Sequence, residues 1–493
     1  MAAYAGARMT SYGLFIHGEF VPAAGGKTFT TQNPADARET VAEYAAGGPA
    51  DAVAAVAAAR EAFPKWAATT PVARGRILSK ASQLLESRKA ALAELLVREE
   101  GKTLAEATGE VQRAVDIFRF LGGTSYTVGG QTLPHDLPQN LLMTRREPLG
   151  VVALITPWNF PIAIPAWKMG PALLCGNTVV IKPASPAPSM TLELARALHE
   201  AGLPPGVLNV VTGDGRAFGA EVASNPAVQA LSFTGSRAVG AQLYQAVAPR
   251  MIRCQLEMGS KNPTLVLADA DLDLAAKLVA IAGFGLTGQA CTATSRVIVE
   301  RPVLEAFTEK LVSLAKNWKV GPGLSAGVQM GPAVSQSELD GNLSAIAQAT
   351  SEGAQLVWGG ARLTDGDLAH GWFMQPAVLG GVTPTMRVAR EEIFGPVVAI
   401  LAVDSFDEAI SVANGVDYGL SASLVTRDYR KAMLYAERIE CGVVKVNQIS
   451  TGLALQAPFG GVKQSSTDSF REQGTAGLDF YSRIKTVYLD YSA

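Results

Sequence analysis

The amino-acid sequence predicts an α/β protein with two parallel-sheet domains. Residues 51–120 are rich in alanine, leucine, glutamate and arginine, and their apolar positions recur every three or four residues, which predicts amphipathic helices. From residue 150 onward, short β-rich runs alternate with helix-length segments; the runs are GVVALITP, TVVIKP, VLNVVTG, QALSFTG and PTLVLADADLD. A second alternating block extends from SRVIVE to GVVKVNQ. Such alternation is typical of βαβ units, so each block is expected to form one parallel sheet.

Length and charge limit the classes of function. A chain of 493 residues is long enough for two or three domains, each with its own core. The 42 basic and 44 acidic residues give a net charge of -2, which provides no electrostatic basis for binding nucleic acid or an anionic membrane. Two long uncharged runs, residues 151–167 and 278–295, are interrupted by proline or by glycine, glutamine and hydroxyl residues, so neither is expected to span a membrane. A small neutral or anionic ligand is the expected partner.

The cysteines indicate a reducing compartment. They are widely spaced and form no C-x-x-C pair, so neither a disulfide framework nor a metal site is expected; the four are Cys175, Cys254, Cys291 and Cys441. The N-terminal stretch lacks the basic segment, apolar run and cleavage site of a secretory signal. The expected location is therefore the cytoplasm.

Two features of the first block are suited to a phosphorylated ligand. The strand QALSFTG runs into a predicted helix, and Gly235 and Gly240 flank Ser236 at the helix start, where free backbone amides bind phosphate. The spacing differs from the G-x-G-x-x-G fingerprint, so a purely structural turn is the alternative. Lys182 follows another apolar strand, at the sheet edge where ligands bind in open α/β folds. A solvated strand end is the alternative interpretation for this lysine.

Two polar residues stand in apolar surroundings. Asn159 lies between Trp158 and Phe160 among prolines, so its amide either completes a turn or donates to a developing negative charge. Glu257 lies in the strand-like run CQLEMG, where apolar neighbours would raise its pKa and suit it to take a proton from water. An ion pair between Glu257 and Lys261 is the structural alternative.

Cys291 is the candidate nucleophile. It lies in FGLTGQACTATSR, a run of small residues with no charge between Lys277 and Arg296, which allows either an inert packing role or an accessible thiol stabilised by nearby amides. Cysteine-histidine protease chemistry is disfavoured because none of the four histidines lies in a recognisable motif; they are His17, His135, His199 and His370.

Seven ordered motifs resemble the aldehyde dehydrogenase family across nearly the whole chain: PWNFP, KPAS, FTGSRAVG, LEMGSKNP, GQACTATSR, EEIFGPV and PFGGVK. The resemblance implies a Rossmann-like cofactor domain, an α/β catalytic domain and a small β arm that bridges subunits into homodimers or homotetramers. The implied boundaries are 1–124 and 147–258 for the NAD(P)-binding domain, 259–445 for the catalytic domain, and 125–146 and 472–493 for the arm.

The resemblance also assigns the catalytic roles. Cys291 matches the nucleophile that attacks an aldehyde carbonyl, and the resulting oxyanion would be held by the Asn159 side chain and the Cys291 backbone N–H. Hydride transfer to the nicotinamide would leave a thioester. Glu257 matches the base that activates water to hydrolyse that thioester.

The cofactor implied by the resemblance is NAD or NADP. Lys182 matches the contact to the adenine ribose, Ser236 the phosphate contact, and Glu392 with Phe394 the residues that position the nicotinamide ribose and ring. Ser185 occupies a position where NAD-preferring members often carry glutamate, so NADP should be accepted. The remaining expected cofactor residues are Ile155, Thr156, Pro157, Trp158, Gly215, Phe233, Gly235 and Gly240.

The chain departs from the family pattern at two glycine positions. Serine stands at Ser260 in LEMGSK and at Ser466 in KQSS, where family members often have glycine. These departures put backbone details in question, whereas Glu257 and Cys291 are intact.

The overall sequence pattern is most similar to the branch of the family that oxidises 2-oxoglutarate semialdehyde. Its carboxylate would need an arginine or several amide and hydroxyl donors, for which Arg119 and the loop 448–456 are candidates, although Arg119 has a structural alternative. Phe160 and Phe459 are further candidate substrate residues. The alternatives are succinate semialdehyde or another ω-carboxy aldehyde, release of the thioester by CoA, and a non-catalytic binding role on this fold.

Overall fold

The computed structural model describes residues 10–492, so the outermost parts of the implied cofactor domain and arm, residues 1–9 and 493, lie outside the described residues. The strands of residues 10–492 are β1 (Thr10–Tyr12), β2 (Leu14–Ile16), β3 (Glu19–Val21), β4 (Thr28–Asn33), β5 (Asp36–Ala45), β6 (Thr132–Leu133), β7 (Asn140–Pro148), β8 (Val151–Thr156), β9 (Thr178–Pro183), β10 (Leu208–Val210), β11 (Val228–Thr234), β12 (Arg253–Glu257), β13 (Pro263–Val266), β14 (Arg296–Glu300), β15 (Gln355–Trp358), β16 (Ala377–Gly380), β17 (Val397–Val403), β18 (Tyr418–Gly419), β19 (Ser421–Val425), β20 (Val443–Val446), β21 (Val462–Lys463) and β22 (Ser482–Asp490).

The α-helices of the same residues follow the predicted alternation. They are α1 (Pro49–Ala68), α2 (Pro71–Ser87), α3 (Lys89–Glu100), α4 (Leu104–Thr124), α5 (Ala163–Leu174), α6 (Ser189–Glu200), α7 (Gly215–Ser224), α8 (Arg237–Val247), α9 (Leu272–Phe284), α10 (Leu304–Lys316), α11 (Gln336–Ser351), α12 (Arg387–Arg390), α13 (Phe406–Asn414), α14 (Tyr429–Arg438) and α15 (Gly477–Phe480). Between residues 10 and 492, no helix combines the length and the apolar character that crossing a bilayer requires.

Helices α1 to α4 fill the stretch that the sequence predicts to be helical. The start of α4 is a capping box: the Thr103 hydroxyl accepts from the Glu106 N–H at 3.3 Å, and the Glu106 carboxylate accepts from the Thr103 N–H at 2.8 Å. The two reciprocal bonds satisfy amides that would otherwise lack partners, so they set where α4 begins. The first turns of α4 therefore have a defined orientation towards the rest of the molecule.

The first large sheet has the order β12-β11-β8-β9-β10-β2-β3. Strands β12 to β10 are mutually parallel, whereas β2 and β3 extend the edge in antiparallel pairing. The inner strands are continuous apolar runs because both faces of the sheet are covered. The chain winds outward from β8 in both directions, through β9 and β10 on one side and through β11 and β12 on the other. This is the Rossmann-like order, whose ligand crevice lies at the carboxyl ends beside the central strand.

The second large sheet has the order β15-β16-β17-β14-β13-β19-β20, and all its pairings are parallel except that of β15. Its apolar core includes Leu265, Ile298 and Leu401. Strand β13 begins six residues after β12 ends, so the two sheets are joined by a short connection. The predicted division into two α/β sheets is confirmed.

A third, antiparallel sheet has the order β22-β7-β6. Strand β22 pairs with β7 along its whole length, from Ser482 opposite Pro148 to Asp490 opposite Asn140. No other strand of the described chain pairs with the second edge of β22. The strands lie in or beside the two segments assigned to the arm, and the domain boundaries themselves stay predictions.

Candidate active site

The three catalytic candidates come together where the two large sheets meet. Asn159 follows the carboxyl end of β8, Glu257 is the last residue of β12, and Cys291 lies in the turn that leads into β14. The Asn159 side-chain amide donates to the backbone carbonyl of Gln289 at 2.9 Å, two residues before the cysteine. The site is therefore built from the carboxyl edge of the first sheet and the amino edge of the second.

The backbone before Cys291 makes a tight turn. Leu286 and Thr287 have φ values of 53° and 56°, and Gly288 has a φ of +66°. A Cβ atom on Gly288 would lie 2.2 Å from the backbone oxygen of Gly395, so a side chain at this position would displace one of the two segments. Glycine at position 288 is thus required by backbone geometry, in addition to keeping the Cys291 thiol accessible.

Asn262 holds the turn from the other side, and sequence reasoning missed it. Its side-chain N–H group donates to the carbonyl of Cys291 at 2.8 Å and to that of Ala293 at 2.9 Å. Its side-chain oxygen accepts from the N–H of Ser421 at 3.0 Å. The available signal was a polar residue directly before a proline at the start of an apolar strand.

The Cys291 thiol is half-buried, and its electrostatic surroundings favour the neutral form. Burial and, to a smaller extent, the nearby carboxylates of Glu392, Glu257 and Glu472 raise its pKa to about 12, although its own backbone N–H acts in the opposite direction. The backbone N–H does favour the thiolate, as predicted, but burial and negative charge outweigh it. Attack by sulfur must therefore be accompanied by loss of its proton.

Glu257 is buried, and its carboxylate is directed at the C-terminal part of the chain. It accepts from the Ser466 hydroxyl at 3.0 Å and from the Gly461 N–H at 3.3 Å. Burial raises its pKa well above the ordinary value, Glu472 raises it further, and Lys168 opposes both. The alternative ion pair with Lys261 does not form, since within the described part of the chain the Lys261 ammonium has no hydrogen-bond partner.

A second polar cluster lies beside Glu257 and was not predicted. The Lys168 ammonium donates to the Ser232 hydroxyl at 2.7 Å and pairs with Glu472, and the Trp167 indole N–H donates to Glu472 at 2.9 Å. Lys168 is fully buried on α5. The signal in the sequence was a lysine in an otherwise apolar helix, because such a charge requires a buried counter-charge.

Both serine-for-glycine departures are accommodated. The Ser260 hydroxyl accepts from the N–H of Leu420 at 3.3 Å, whereas the Ser466 hydroxyl donates directly to Glu257. Ser260 thus supports the backbone between the two sheets. Ser466 instead stabilises the ionised form of the candidate base.

The predicted adenosine end of the cofactor crevice lies beside the start of α7. The Lys182 ammonium donates to the carbonyl of Pro183 at 2.9 Å, and burial lowers its pKa to about 8. A Cβ on Gly215 would lie 3.2 Å from the lysine side chain, so glycine leaves room for it across the helix start. Ser185 is exposed, and its hydroxyl is 3.5 Å from the carbonyl of Gly213.

The predicted phosphate turn has the expected position at the start of α8. Ser236 is the N-cap residue by backbone conformation, and its side chain makes no capping bond among the described residues. The first amides of α8 are therefore free of a side-chain acceptor. Phe233 is buried below the turn, and Cβ atoms on Gly235 or Gly240 would lie 2.6 or 3.3 Å from its ring. Phe233 thus supports the turn by packing.

The predicted nicotinamide end contains Glu392 and Phe394. The Glu392 carboxylate accepts from the Ser260 N–H at 2.9 Å, and burial raises its pKa to about 7. Phe394 has a φ of 64°, and its ring lies edge-to-face with Trp158 at a centroid distance of 5.5 Å.

The residues of the crevice fit a dinucleotide. The buried hydroxyls of Thr156 and Thr234, at the carboxyl ends of β8 and β11, have no hydrogen-bond partner within residues 10–492. Unsatisfied buried hydroxyls are costly, so a polar ligand at this strand edge would supply what they lack. Ile155 and Pro157 are half-buried on either side of Thr156.

The three candidate substrate residues occupy different environments. Phe160 is half-buried, with the Lys102 ammonium 4.8 Å from its ring centroid. Phe459 is buried, with its ring centroid 6.1 Å from that of Trp167. Arg119 is exposed on α4, where it bonds to carboxylates on α2 and α4, so the structure does not bring it to the catalytic residues.

Comparison with known proteins agrees with this geometry. The model of the aldehyde dehydrogenase family matches residues 20–487. The chain therefore belongs to the aldehyde dehydrogenase family and is an enzyme of that class.

Curated relatives and a solved structure match over nearly the whole chain. The alpha-ketoglutarate semialdehyde dehydrogenase of Haloferax volcanii is 51% identical over 97% of this chain and 98% of its own. The alpha-ketoglutaric semialdehyde dehydrogenase of Bacillus subtilis is 45% identical over 96% and 97%. The crystal structure of an NAD-dependent aldehyde dehydrogenase from Sinorhizobium meliloti superposes with a TM-score of 0.95 at 35% identity, covering 98% of this chain and 95% of that chain.

Replacing Ser466 by glycine tests the influence of this hydroxyl on Glu257. Removal of a hydrogen bond to the ionised carboxylate raises the pKa of Glu257 further, so base-dependent turnover should appear at higher pH. A bond of about 1 kcal/mol corresponds to an alkaline shift of roughly one pH unit in the rate profile under conditions where thioester hydrolysis limits turnover. Ser260→Gly is the matched control, with no shift expected; equal shifts in both variants would contradict the assignment.

Proposed function

We propose that this enzyme oxidises 2-oxoglutarate semialdehyde, also called 2,5-dioxopentanoate, to 2-oxoglutarate with NAD or NADP as hydride acceptor. The observation that carries the proposal is the convergence of Cys291, Asn159 and Glu257 between the two sheets. The identity of 51% and 45% to relatives named for this semialdehyde supports the choice of substrate.

The first half of the reaction depends on Cys291 and Asn159. As the sulfur attacks the aldehyde carbon, the half-buried thiol releases its proton to solvent, and the electron pair of the carbonyl bond moves onto the oxygen to give an oxyanion. The Asn159 side-chain amide, which donates to Gln289 in this structure, would donate to the oxyanion together with the Cys291 backbone N–H. A nicotinamide held beside Glu392 and Phe394 would supply the hydride acceptor for the same carbon, and the oxidised substrate would remain on Cys291 as a thioester.

The second half depends on Glu257. Its raised pKa makes the carboxylate a stronger base than an exposed glutamate, so it can take a proton from water near neutral pH. The water oxygen then attacks the thioester, and collapse of the tetrahedral adduct releases the carboxylic acid and the cysteine sulfur. Retention of Glu257 favours water over CoA as the group that releases the thioester.

The proposed function is tested by the formation of reduced cofactor over a panel of 2-oxoglutarate semialdehyde, succinate semialdehyde and neutral pentanal. The first should have the highest kcat/KM without CoA. Cys291→Ala should lose more than about 10³-fold in kcat, and Glu257→Gln should give at most one equivalent of reduced cofactor before it stalls. Substantial turnover by the alanine variant would refute the mechanism, and a requirement for CoA would refute the hydrolytic step.

The choice between NAD and NADP is proposed to depend on Ser185. A hydroxyl can donate to a 2'-phosphate, whereas a carboxylate would repel it. Ser185→Glu should lower kcat/KM for NADP by about 10-fold or more and leave NAD within about threefold. Ser185→Ala, which removes the donor without adding charge, should give a smaller loss. A wild-type enzyme with strong NAD preference and a neutral effect of Ser185→Glu would contradict the assignment.

The β22 strand is proposed to assemble subunits into a dimer or tetramer. It carries exposed apolar side chains and leaves one edge without a partner strand in the described chain; the exposed residues include Ile484, Tyr488 and Leu489. An exposed apolar edge of this kind is suited to a second chain.

Deleting residues 482–493, while keeping α15, should convert the assembly to monomers because the pairing edge is removed. Light scattering after size-exclusion chromatography measures the mass directly. Tyr488→Ser, which keeps the strand and lowers its apolar area, should weaken assembly without abolishing it. A deletion variant that kept the assembled mass would refute the role of β22.

A further inference from the structure

A solvent-facing cavity of about 650 Å³ lies beside helix α4 and has not been assigned a role by the motifs. Its walls combine two arginines and one carboxylate with apolar and hydroxyl side chains; they include Arg113, Asp116, Arg119, Phe120, Leu455 and Thr475. A cavity of this size is large enough for a small metabolite. Its position relative to the catalytic residues decides what it can bind.

One face of α4 connects the cavity to the active site. Glu106, Glu110 and Arg113 are spaced by four and three residues, so they lie on the same face of the helix. Glu106 accepts from the N–H of Leu286 at 2.7 Å, in the turn before the catalytic cysteine. Glu110 accepts from the N–H of Ile162 at 3.1 Å, just after the candidate oxyanion asparagine. Arg113 is therefore the next group along a face that already contacts both catalytic loops.

The loop that follows β20 makes a second connection. The Ser450 hydroxyl donates to the carbonyl of Thr292, next to the catalytic cysteine, at 2.7 Å. Three residues later, the carbonyl of Leu453 accepts from the Arg113 guanidinium at 2.8 Å. Three residues of chain span at most about 11 Å, so this loop limits how far the arginine can lie from the cysteine turn.

The C-terminal segment makes a third connection. Phe459 and Glu472 exchange backbone hydrogen bonds, and Glu472 accepts from the Trp167 indole on the helix that follows the oxyanion loop. The neighbouring residue, Gln473, accepts from the Arg113 guanidinium at 2.6 Å. Arg113, in the wall of the cavity, is thus linked to segments that contact the catalytic residues.

Arg113 presents a positive charge that no carboxylate of the described chain contacts directly, although the charge of Asp116 acts on it from one turn away. Its two acceptors, the Leu453 carbonyl and the Gln473 side-chain oxygen, are neutral, and within residues 10–492 it forms no ion pair. Asp116 is one turn away, but its carboxylate accepts from Arg119 and from a glutamine. Burial lowers the pKa of Arg113, yet a guanidinium stays ionised at neutral pH. Half-buried cations without a counter-charge are suited to an anionic ligand.

Gln473 supplies a second donor at the same place. It is buried, and its φ of 63° is a strained conformation for a residue with a side chain. Because arginine has no acceptor atom, the amide must turn its oxygen towards Arg113. The NH₂ group of the same amide is buried and has no partner among the described residues. The unused NH₂ group of Gln473 and the guanidinium of Arg113, which has no ion pair in the described part of the chain, could each donate to one of the two oxygens of a carboxylate.

We propose that Arg113 and Gln473 bind the substrate carboxylate and thereby select aldehydes that carry an anionic group at the end remote from the carbonyl. The inference rests on the proposed function and names the residues that give it its specificity. In 2-oxoglutarate semialdehyde the carboxylate and aldehyde carbons lie roughly 5 Å apart in an extended chain with C–C bonds of about 1.5 Å.

The decisive measurement is the ratio of kcat/KM for 2-oxoglutarate semialdehyde to kcat/KM for pentanal, which has the same number of carbons and no charge. Arg113→Met should lower this ratio by about 100-fold, mainly through KM of the anionic substrate, because a charge-assisted pair is lost. Gln473→Glu should also lower it, because the new carboxylate would pair with Arg113 and repel the substrate. Arg113→Lys, which keeps the charge without the planar donor geometry, should give a ratio between those of the wild type and Arg113→Met.

Arg119→Met is the matched control, since Arg119 lines the same cavity but is already paired with carboxylates. It should change the ratio by less than about threefold. A ratio unchanged in both Arg113→Met and Gln473→Glu would overturn the inference, as would equal losses on both substrates, which indicate a structural role. If Arg113→Met does not fold, Arg113→Lys and Gln473→Glu give the same test.

The panel separates failure of this inference from failure of the proposed function. A wild-type preference for succinate semialdehyde that still depends on Arg113 would refute the proposed substrate and support the carboxylate site. A wild-type preference for 2-oxoglutarate semialdehyde that is independent of Arg113 would support the proposed substrate and refute the carboxylate site. A wild-type preference for pentanal would refute both.

Discussion

The arrangement of the active site depends on the short connection between β12 and β13. Glu257 ends β12 in the first sheet, and Asn262 directly precedes β13 in the second. Each strand is fixed by parallel pairing, β12 with β11 and β13 with β14 and β19. The candidate base and the amide that holds the Cys291 carbonyl therefore cannot move independently, and the reacting groups inherit their positions from the two sheets.

Burial and nearby charges set the protonation states of Cys291 and Glu257. Burial and three nearby carboxylates favour the neutral form of the Cys291 thiol. The same burial makes Glu257 a stronger base, and Lys168 limits how far its pKa rises. One low-dielectric environment thus favours both a protonated candidate nucleophile and a candidate base suited to neutral pH.

Helix α4 joins the chemistry to specificity. Its capping box sets its start, and the face that follows contacts the cysteine turn, the oxyanion loop and the cavity in succession. In the inferred arrangement, an aldehyde reaches the thiol while its distant carboxylate contacts Arg113. Substrate selection would then depend on length and charge together, because only a chain of suitable length satisfies both ends.

The sequence by itself determined the sheet-helix alternation, the two large sheets and the three catalytic candidates, because these are carried by local periodicity and by short motifs. Only the tertiary structure identified Asn262, the Lys168–Glu472 pair and the Arg113–Gln473 pair. The lysine and arginine bond to partners 304 and 360 residues away, and such pairings leave no periodic pattern in a single sequence. The difference in pairing between Arg113 and Arg119 is likewise set by residues distant in sequence. Both arginines stand on one helix, and only packing decides which of them is neutralised by carboxylates and which is left with neutral acceptors.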